Sequence, residues 1–152
     1  MARFNIERAD LRGEPDAPDG FSARNADIGS QIGGEHLGGS VVEIPPGGPA
    51  WPYHWESALE EWLIVLSGAP TVRTPEGEEV LAAGDVVCFG VGPEGAHQVI
   101  NDTDEPCRVV MVSNRAPVNV IVYPDAGKVG VRTAWLNGNY PLDAGVDYWD
   151  GE

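Results

Sequence analysis

Lysine occurs once, at Lys128, and the chain has only nine basic residues against 24 acidic ones, a formal net charge of −15. A chain that binds nucleic acid or an anionic membrane needs a positive face against phosphate. This charge balance excludes both as primary partners. No apolar run approaches the ~20 residues of a spanning helix. The opening segment MARFNIERADLRGEP has no apolar stretch behind its charges, as a secretory signal would. A cytoplasmic location is the resulting expectation. Cysteine is scarce too. Cys88 and Cys107 form no CxxC motif and no Cys/His cluster, so both are expected to be buried small apolar residues rather than a disulfide or metal ligands. There is no G-x-G-x-x-G and no P-loop, and Ser57 and Ser67 have no histidine at a spacing that suggests a serine hydrolase.

Turn formers, by contrast, are abundant: 20 Gly and 13 Pro among 152 residues, with 42% hydrophobic residues. In a chain apolar enough to fold, that many breakers point to short strands joined by tight turns. Candidate strands are 36–44, 51–55, 61–67, 70–74, 78–81, 86–89, 97–101, 108–114 and 119–123. PPGGP at 45–49, PEG at 75–77, AAGD at 82–85 and NDTDEP at 101–106 separate them. The link 57–61 has room for one helical turn at most. The pattern is all-β, a single-domain sandwich or barrel in which closure would remove exposed sheet edges. Residues 1–35 read as an N-terminal arm, 36–124 as the barrel and 125–152 as an acidic C-terminal tail. That tail carries Trp135, Tyr140, Tyr148 and Trp149, and either docks on the barrel or a neighbouring subunit or is only partly ordered.

One constellation carries chemistry. His54 and Glu56 are two apart on a candidate strand and so project from one face. Glu61 opens the run EWLIVLSG and shares a face with Leu63 and Val65, where a carboxylate is costly unless it is paired or bound to a metal. His97 has the parity of Val99 and Asn101. Two imidazoles and two carboxylates converging in a barrel suit a divalent first-row metal with open positions left for substrate. Glu60 has the opposite parity and reads as a surface charge. Trp51, Trp55 and Trp62 read as packing residues, with a substrate-lining role open only to the parity of His54. Asn101 reads as a turn-ordering residue, and Gly68, Gly84 and Gly95 as turn glycines that need positive φ.

The run Gly48-x5-His54-x-Glu56-x4-Glu61-x6-Gly68, followed by Gly84, Gly92, PEGAH at 93–97 and Asn101, resembles the two motifs of the cupin superfamily. The segments PYHWE, EEWLIVLSG, GDVVCF, GPEGAHQVIN and VYPDAGKVGV resemble a bacterial single-domain subgroup of unassigned activity. The resemblance implies a cupin-type β-barrel (a double-stranded β-helix, or jelly roll) with His54, Glu61 and His97 as metal ligands. Glu56 stands where the motif has a second histidine, and the proline-glycine element is shifted relative to His97. Glu56 is therefore either a fourth ligand or a general base that stays off the metal. Two carboxylates favour harder ions such as Mn²⁺ or Fe²⁺, with Zn²⁺ and Ni²⁺ also open. Without metal, Glu56 and Glu61 should repel, so that one keeps a proton near neutral pH.

Two functions remain at this point. The first is a metal-dependent enzyme acting on a small polar molecule by oxygenase, isomerase or lyase chemistry. The second is a non-enzymatic module binding a sugar or organic acid. The resemblance selects neither, because one fold hosts many chemistries. A homodimer is the expected assembly.

Overall fold

The structure, a computed structural model, describes residues 1–152. Fourteen strands follow one another: β1 (Arg12–Gly13), β2 (Arg24–Asp27), β3 (Leu37–Ile44), β4 (Gly48–Pro49), β5 (Trp55–Glu56), β6 (Glu61–Ser67), β7 (Thr71–Thr74), β8 (Gly77–Val80), β9 (Val86–Phe89), β10 (Gln98–Asn101), β11 (Cys107–Asn114), β12 (Asn119–Tyr123), β13 (Lys128–Arg132) and β14 (Asn137–Pro141). One helical turn, Gly29–Ile32, and two short 3₁₀ turns are the only helix.

All pairings are antiparallel and form three sheets, ordered β1-β2-β3-β11-β6-β9, β4-β10-β7-β8 and β14-β13-β12-β5. The expected closure of one ladder into a ring is not present: each sheet keeps its own ends. The first two sheets face each other across a core of Val42, Ile44, Leu63, Val65, Phe89, Val109 and Met111 from one side and Val72 and Val99 from the other. The third sheet borders the open end of this core, where Ile121 and Tyr123 of β12 line a cavity.

Runs such as SVVEI and RVVMV lack a clean polar/apolar alternation because β3 and β11 are covered on both faces. Val42 and Val109 enter the main core, while their neighbours Val41 and Val110 enter a second cluster on the outer face. Phe4, Ile6, Ala9 and Leu11 close that outer cluster. The N-terminal arm is thus a packing element. Arg108 fastens it by donating to the Ile6 carbonyl oxygen at 2.8 Å and pairing with Glu7 at 3.3 Å.

Most expected strands form within a residue or two of their expected ends. The exception is 51–55, where only Trp55–Glu56 is a strand. Four strands form in segments read as arm and tail. β1 and β2 extend the large sheet beside β3, and β13 and β14 extend the third sheet beside β12. The last residues behave differently. Trp135, Val146, Tyr148 and Trp149 are exposed. Cys88, expected to be buried, is exposed, because it lies on the edge strand β9 opposite the exposed Trp62; Cys107 is buried, and both thiols are free.

Two of the three turn glycines have the expected positive φ, Gly68 at 82° and Gly84 at 97°. Gly95 is required for a different reason. A Cβ there would lie 1.7 Å from the Gly90 carbonyl oxygen, a backbone clash that no rotamer relieves.

Removing residues 1–11 uncovers Val41 and Val110. The expected result is a lower melting temperature and new binding of a hydrophobic dye, with metal content per chain unchanged. Loss of metal together with the arm would mean that the arm supports the site rather than the outer face alone.

Candidate metal centre

His54 and His97 oppose each other across an isolated antiparallel bridge. The His54 N–H donates to the His97 carbonyl oxygen at 3.1 Å, and the His97 N–H donates back to the His54 carbonyl oxygen at 2.8 Å. Residues directly opposite in an antiparallel pair place their side chains on one face. The two ring centroids accordingly lie 4.8 Å apart.

Backbone carbonyls then set the tautomers. Nδ1 of His54 lies 3.0 Å from the Pro52 oxygen, and Nδ1 of His97 lies 3.0 Å from the Gly95 oxygen. A carbonyl oxygen only accepts, so each Nδ1 carries the proton and each Nε2 presents a lone pair. Glu61 starts β6 on its inward face. Its Oε2 lies 3.7 Å from Nε2 of His54 and 3.4 Å from Nε2 of His97.

The ligand atoms of these three residues all lie within 4.8 Å of one another. His97 Nε2 and Glu61 Oε2 are buried without a hydrogen-bond partner. Buried polar atoms are rarely left so. With Glu61 ionised, the imidazole nitrogen and the carboxylate oxygen both accept, so neither satisfies the other; with Glu61 protonated, its O–H would face His97 Nε2 across 3.4 Å, longer than an ordinary hydrogen bond. A divalent cation between them would satisfy both, and the second-sphere carbonyls on Nδ1 are what metal-binding histidines usually have.

The rest of the shell is closely packed around His97. His97 is 1% exposed. Phe89 stacks on its ring at 3.8 Å, and Trp51 meets it edge-on. Burial lowers the His97 pKa to about 4, with His54 adding to the effect. Burial likewise lowers that of His54. The Glu61 pKa is pushed up to about 7, first by burial and second by the nearby charge of Glu56. The expected retention of a proton by one of the two carboxylates thus falls on Glu61.

Glu56 enters the same cavity but is not part of the three-residue cluster. It is 8% exposed, and its Oε2 accepts from Asn119 Nδ2 at 3.1 Å. Burial raises its pKa, against the opposing pull of Asn119 and Arg132. Asn119 was not apparent as a site residue from sequence, although Asn119, Ile121 and Tyr123 alternate on one face of β12. Asn119 Oδ1 also accepts from the Ala58 N–H, and Asn114 holds the same link through Glu60 N–H and the Ala58 carbonyl. Together the two amides fix residues 57–60, which set the spacing from Glu56 to Glu61. Asn101 does order a turn, bonding to Ile44, Thr103 and Glu105. Glu60 faces out and accepts from the Trp62 indole.

The centre opens into a cavity of about 650 Å³. Trp51, Met111, Ile121 and Tyr123 form its apolar walls, and the loop 14–21 from the N-terminal segment reaches its rim. Trp51 lines it because residues 51–53 are bent rather than extended, so strand parity does not hold there. Tyr123 stacks against His54 at 5.9 Å.

With this geometry in place, the comparisons with known proteins decide the family. Residues 40–113 match the Cupin_2 family, described as a cupin domain. The chain carries a cupin domain. Among solved structures this cupin is similar to a sugar phosphate isomerase of the cupin superfamily from Silicibacter pomeroyi, at 22% identity, TM-score 0.84, covering 97% of this chain and 98% of that one. It is also similar to a proposed sugar phosphate isomerase from Acidithiobacillus ferrooxidans, at 26% identity, TM-score 0.82, covering 93% and 91%. The polyketide cyclase RemF from Streptomyces resistomycificus shares the fold at 18% identity, TM-score 0.66, covering 90% and 87%. No curated protein matches the chain. No helix is long and apolar enough to cross a membrane.

The electrostatics give two signs to check. The native metal-free state holds a proton on Glu61 that the unfolded chain releases above its ordinary pKa of 4.5. Glu61 therefore lowers stability as pH rises from 4.5 to about 7, and the full penalty applies above that. Metal-free Glu61→Gln should be more stable than the parent by about 1–3 kcal/mol at pH 8 and equal to it near pH 4, by denaturant titration. A metal ion held by Glu61 would displace the same proton, so its affinity should climb with pH and level off above about 7. Calorimetry in buffers of different ionisation enthalpy should show about one proton released at pH 6 and almost none at pH 8. Equal proton release at both pH values would remove Glu61 from the ligand set.

Proposed function

We propose that this cupin binds a divalent metal on His54, Glu61 and His97 and acts as an enzyme on a small polar molecule, with isomerase chemistry the best supported. The observation that carries the metal is the pair of orphaned buried acceptors, His97 Nε2 and Glu61 Oε2, beside two imidazoles whose tautomers are already set. The similarity to proteins described as sugar phosphate isomerases supports the reaction class, and the size of the cavity, about 650 Å³, supports a small substrate.

A bound divalent ion would supply Lewis-acid polarisation of a substrate carbonyl. The chain's own residues supply the remainder. Glu56 is the proton carrier: it is buried, its pKa is raised, and one oxygen is held by Asn119 while the other is available. In an isomerisation it takes a proton from the carbon next to the carbonyl and returns it to the neighbouring position, so no other reactant is consumed. Trp51, Phe89 and Tyr123 keep the reacting centre dry and hold the imidazoles in place. The same residues leave a second role open to Glu56, as a fourth ligand that joins Glu61 in neutralising the ion.

Two substitutions separate these roles. His97→Ala should lower metal content several-fold, by elemental analysis of untagged protein. Glu56→Gln should keep the metal and lose about 10²–10⁴ in kcat on any carbonyl substrate the parent isomerises. If Glu56→Gln loses metal as His97→Ala does, Glu56 is a ligand. If His97→Ala keeps its metal, the centre is not where we place it.

A further inference from the structure

We infer that Lys128 anchors a carboxylate at the far end of the substrate, which makes the substrate class a small hydroxylated keto acid whose ketone is the reacting carbonyl. This rests on the proposed metal-dependent activity and adds to it the group that recognises the other end of the molecule.

Lys128 is the only lysine in the chain, and it lines the cavity. It begins β13 directly opposite Tyr123 of β12. Opposed residues share a face, and Tyr123 is a cavity residue, so the ammonium is carried to the same side. Lys128 Nζ sits over the Tyr123 ring, 4.9 Å from its centroid, while that ring stacks on His54. One aromatic side chain thus touches both the proposed metal ligand and the cation.

The ammonium is uncommitted. No carboxylate lies within 4.0 Å of it, and it donates no hydrogen bond. This stands out because carboxylates are plentiful nearby: Glu14, Asp16, Glu56 and Glu61 line the same cavity. Arg132, which shares Lys128's face of β13, is already bonded to the Gly138 carbonyl and Asn139 Oδ1. Lys128 is therefore the one cation lining the cavity with its donors free.

The type of anion follows from what surrounds the ammonium. Phosphate sites combine several donors: arginine forks, a run of backbone N–H groups, or a long helix N-terminus. No arginine lines this cavity, the only α-helix is a single turn at Gly29–Ile32, and four carboxylates contribute negative potential. A dianion is poorly matched to one ammonium in that field, whereas a single carboxylate matches it. Stacked Tyr123 gives the ammonium a fixed position from which to select for that charge.

A single-lysine chain allows a direct test. Protein labelled with ¹³C-lysine gives one side-chain ε-methylene signal, and loading with Zn²⁺ keeps the sample diamagnetic. Glycerate, erythronate, ribonate and gluconate, which keep the carboxylate and hydroxyls but lack the reacting ketone, are titrated in turn as unreactive probes, each beside the polyol of the same chain length and beside inorganic phosphate. At least one acid should move the Lys128 signal and raise the melting temperature, while its polyol and phosphate do neither at equal concentration. Lys128→Met should weaken that acid at least tenfold and keep full zinc content. The inference is overturned if no acid moves the signal, if phosphate binds as tightly as the acids, or if Lys128→Met binds the acid like the parent. Zinc content is measured in every sample. An absence of zinc in the parent protein is failure of the metal reading; zinc retained with no acid bound is failure of the Lys128 assignment alone.

Discussion

The pair of backbone hydrogen bonds between His54 and His97 is the constraint from which the site follows. It is an isolated bridge between the residue that leads into β10 and the approach to β5, and it joins the second sheet to the third. Because the two residues exchange N–H and carbonyl groups, their side chains have no choice of face. The third ligand then needs only an inward position on the first sheet, which Glu61 has. Each sheet contributes to the centre, so its geometry is as well defined as the packing between them. The price is electrostatic: a carboxyl group is kept where burial opposes its ionisation.

That cost explains the otherwise conservative architecture around it. The first and second sheets are closed by ordinary aliphatic packing, with Ile44, Leu63, Val65, Val99 and Val109 almost fully buried. Burial of such side chains contributes about 1.5–3 kcal/mol each. This reserve tolerates a destabilised metal-free centre, and binding of an ion to the native state alone would add to it by mass action. Polar side chains do the fine positioning. Asn119 and Asn114 hold the link between the two glutamates, and the Pro52 and Gly95 carbonyls hold the imidazoles.

Much of this was legible in the sequence, for specific reasons. The strands β6, β9 and β12 are short, bounded by turn formers and rich in β-branched residues, so their limits could be read directly. The parity of Glu61 with Leu63 and Val65, and of His97 with Val99, correctly placed both groups inward. Parity failed where there was no strand: Trp51 reaches the cavity from a bent segment. The strands of residues 24–27, 128–132 and 137–141 were hidden because RNAD, KVGVR and NGNYP carry no sustained apolar run of their own and are ordered by the strands they pair with, β13 and β14 as hairpin neighbours of β12. Asn119 and Lys128 were hidden for a related reason. Asn119 matters for the hydrogen bond it gives Glu56 on the neighbouring strand, and Lys128 for the Tyr123 ring directly opposite it, and contacts across strands are not written in local composition. Gly95 was correctly singled out, but on the wrong grounds: its neighbour Gly90, not its φ angle, forbids a side chain.

The open ends of the ladders have a consequence of their own. β8 terminates the second sheet, and all four of its residues are exposed. An unpaired strand flank of this kind can template the strand of another molecule. Here the flank carries Glu78 and Glu79, side by side on a chain that is already strongly anionic. The acidic composition thus acts as a guard against intermolecular sheet extension, and crowding this protein in cells would test that guard before it tested the core.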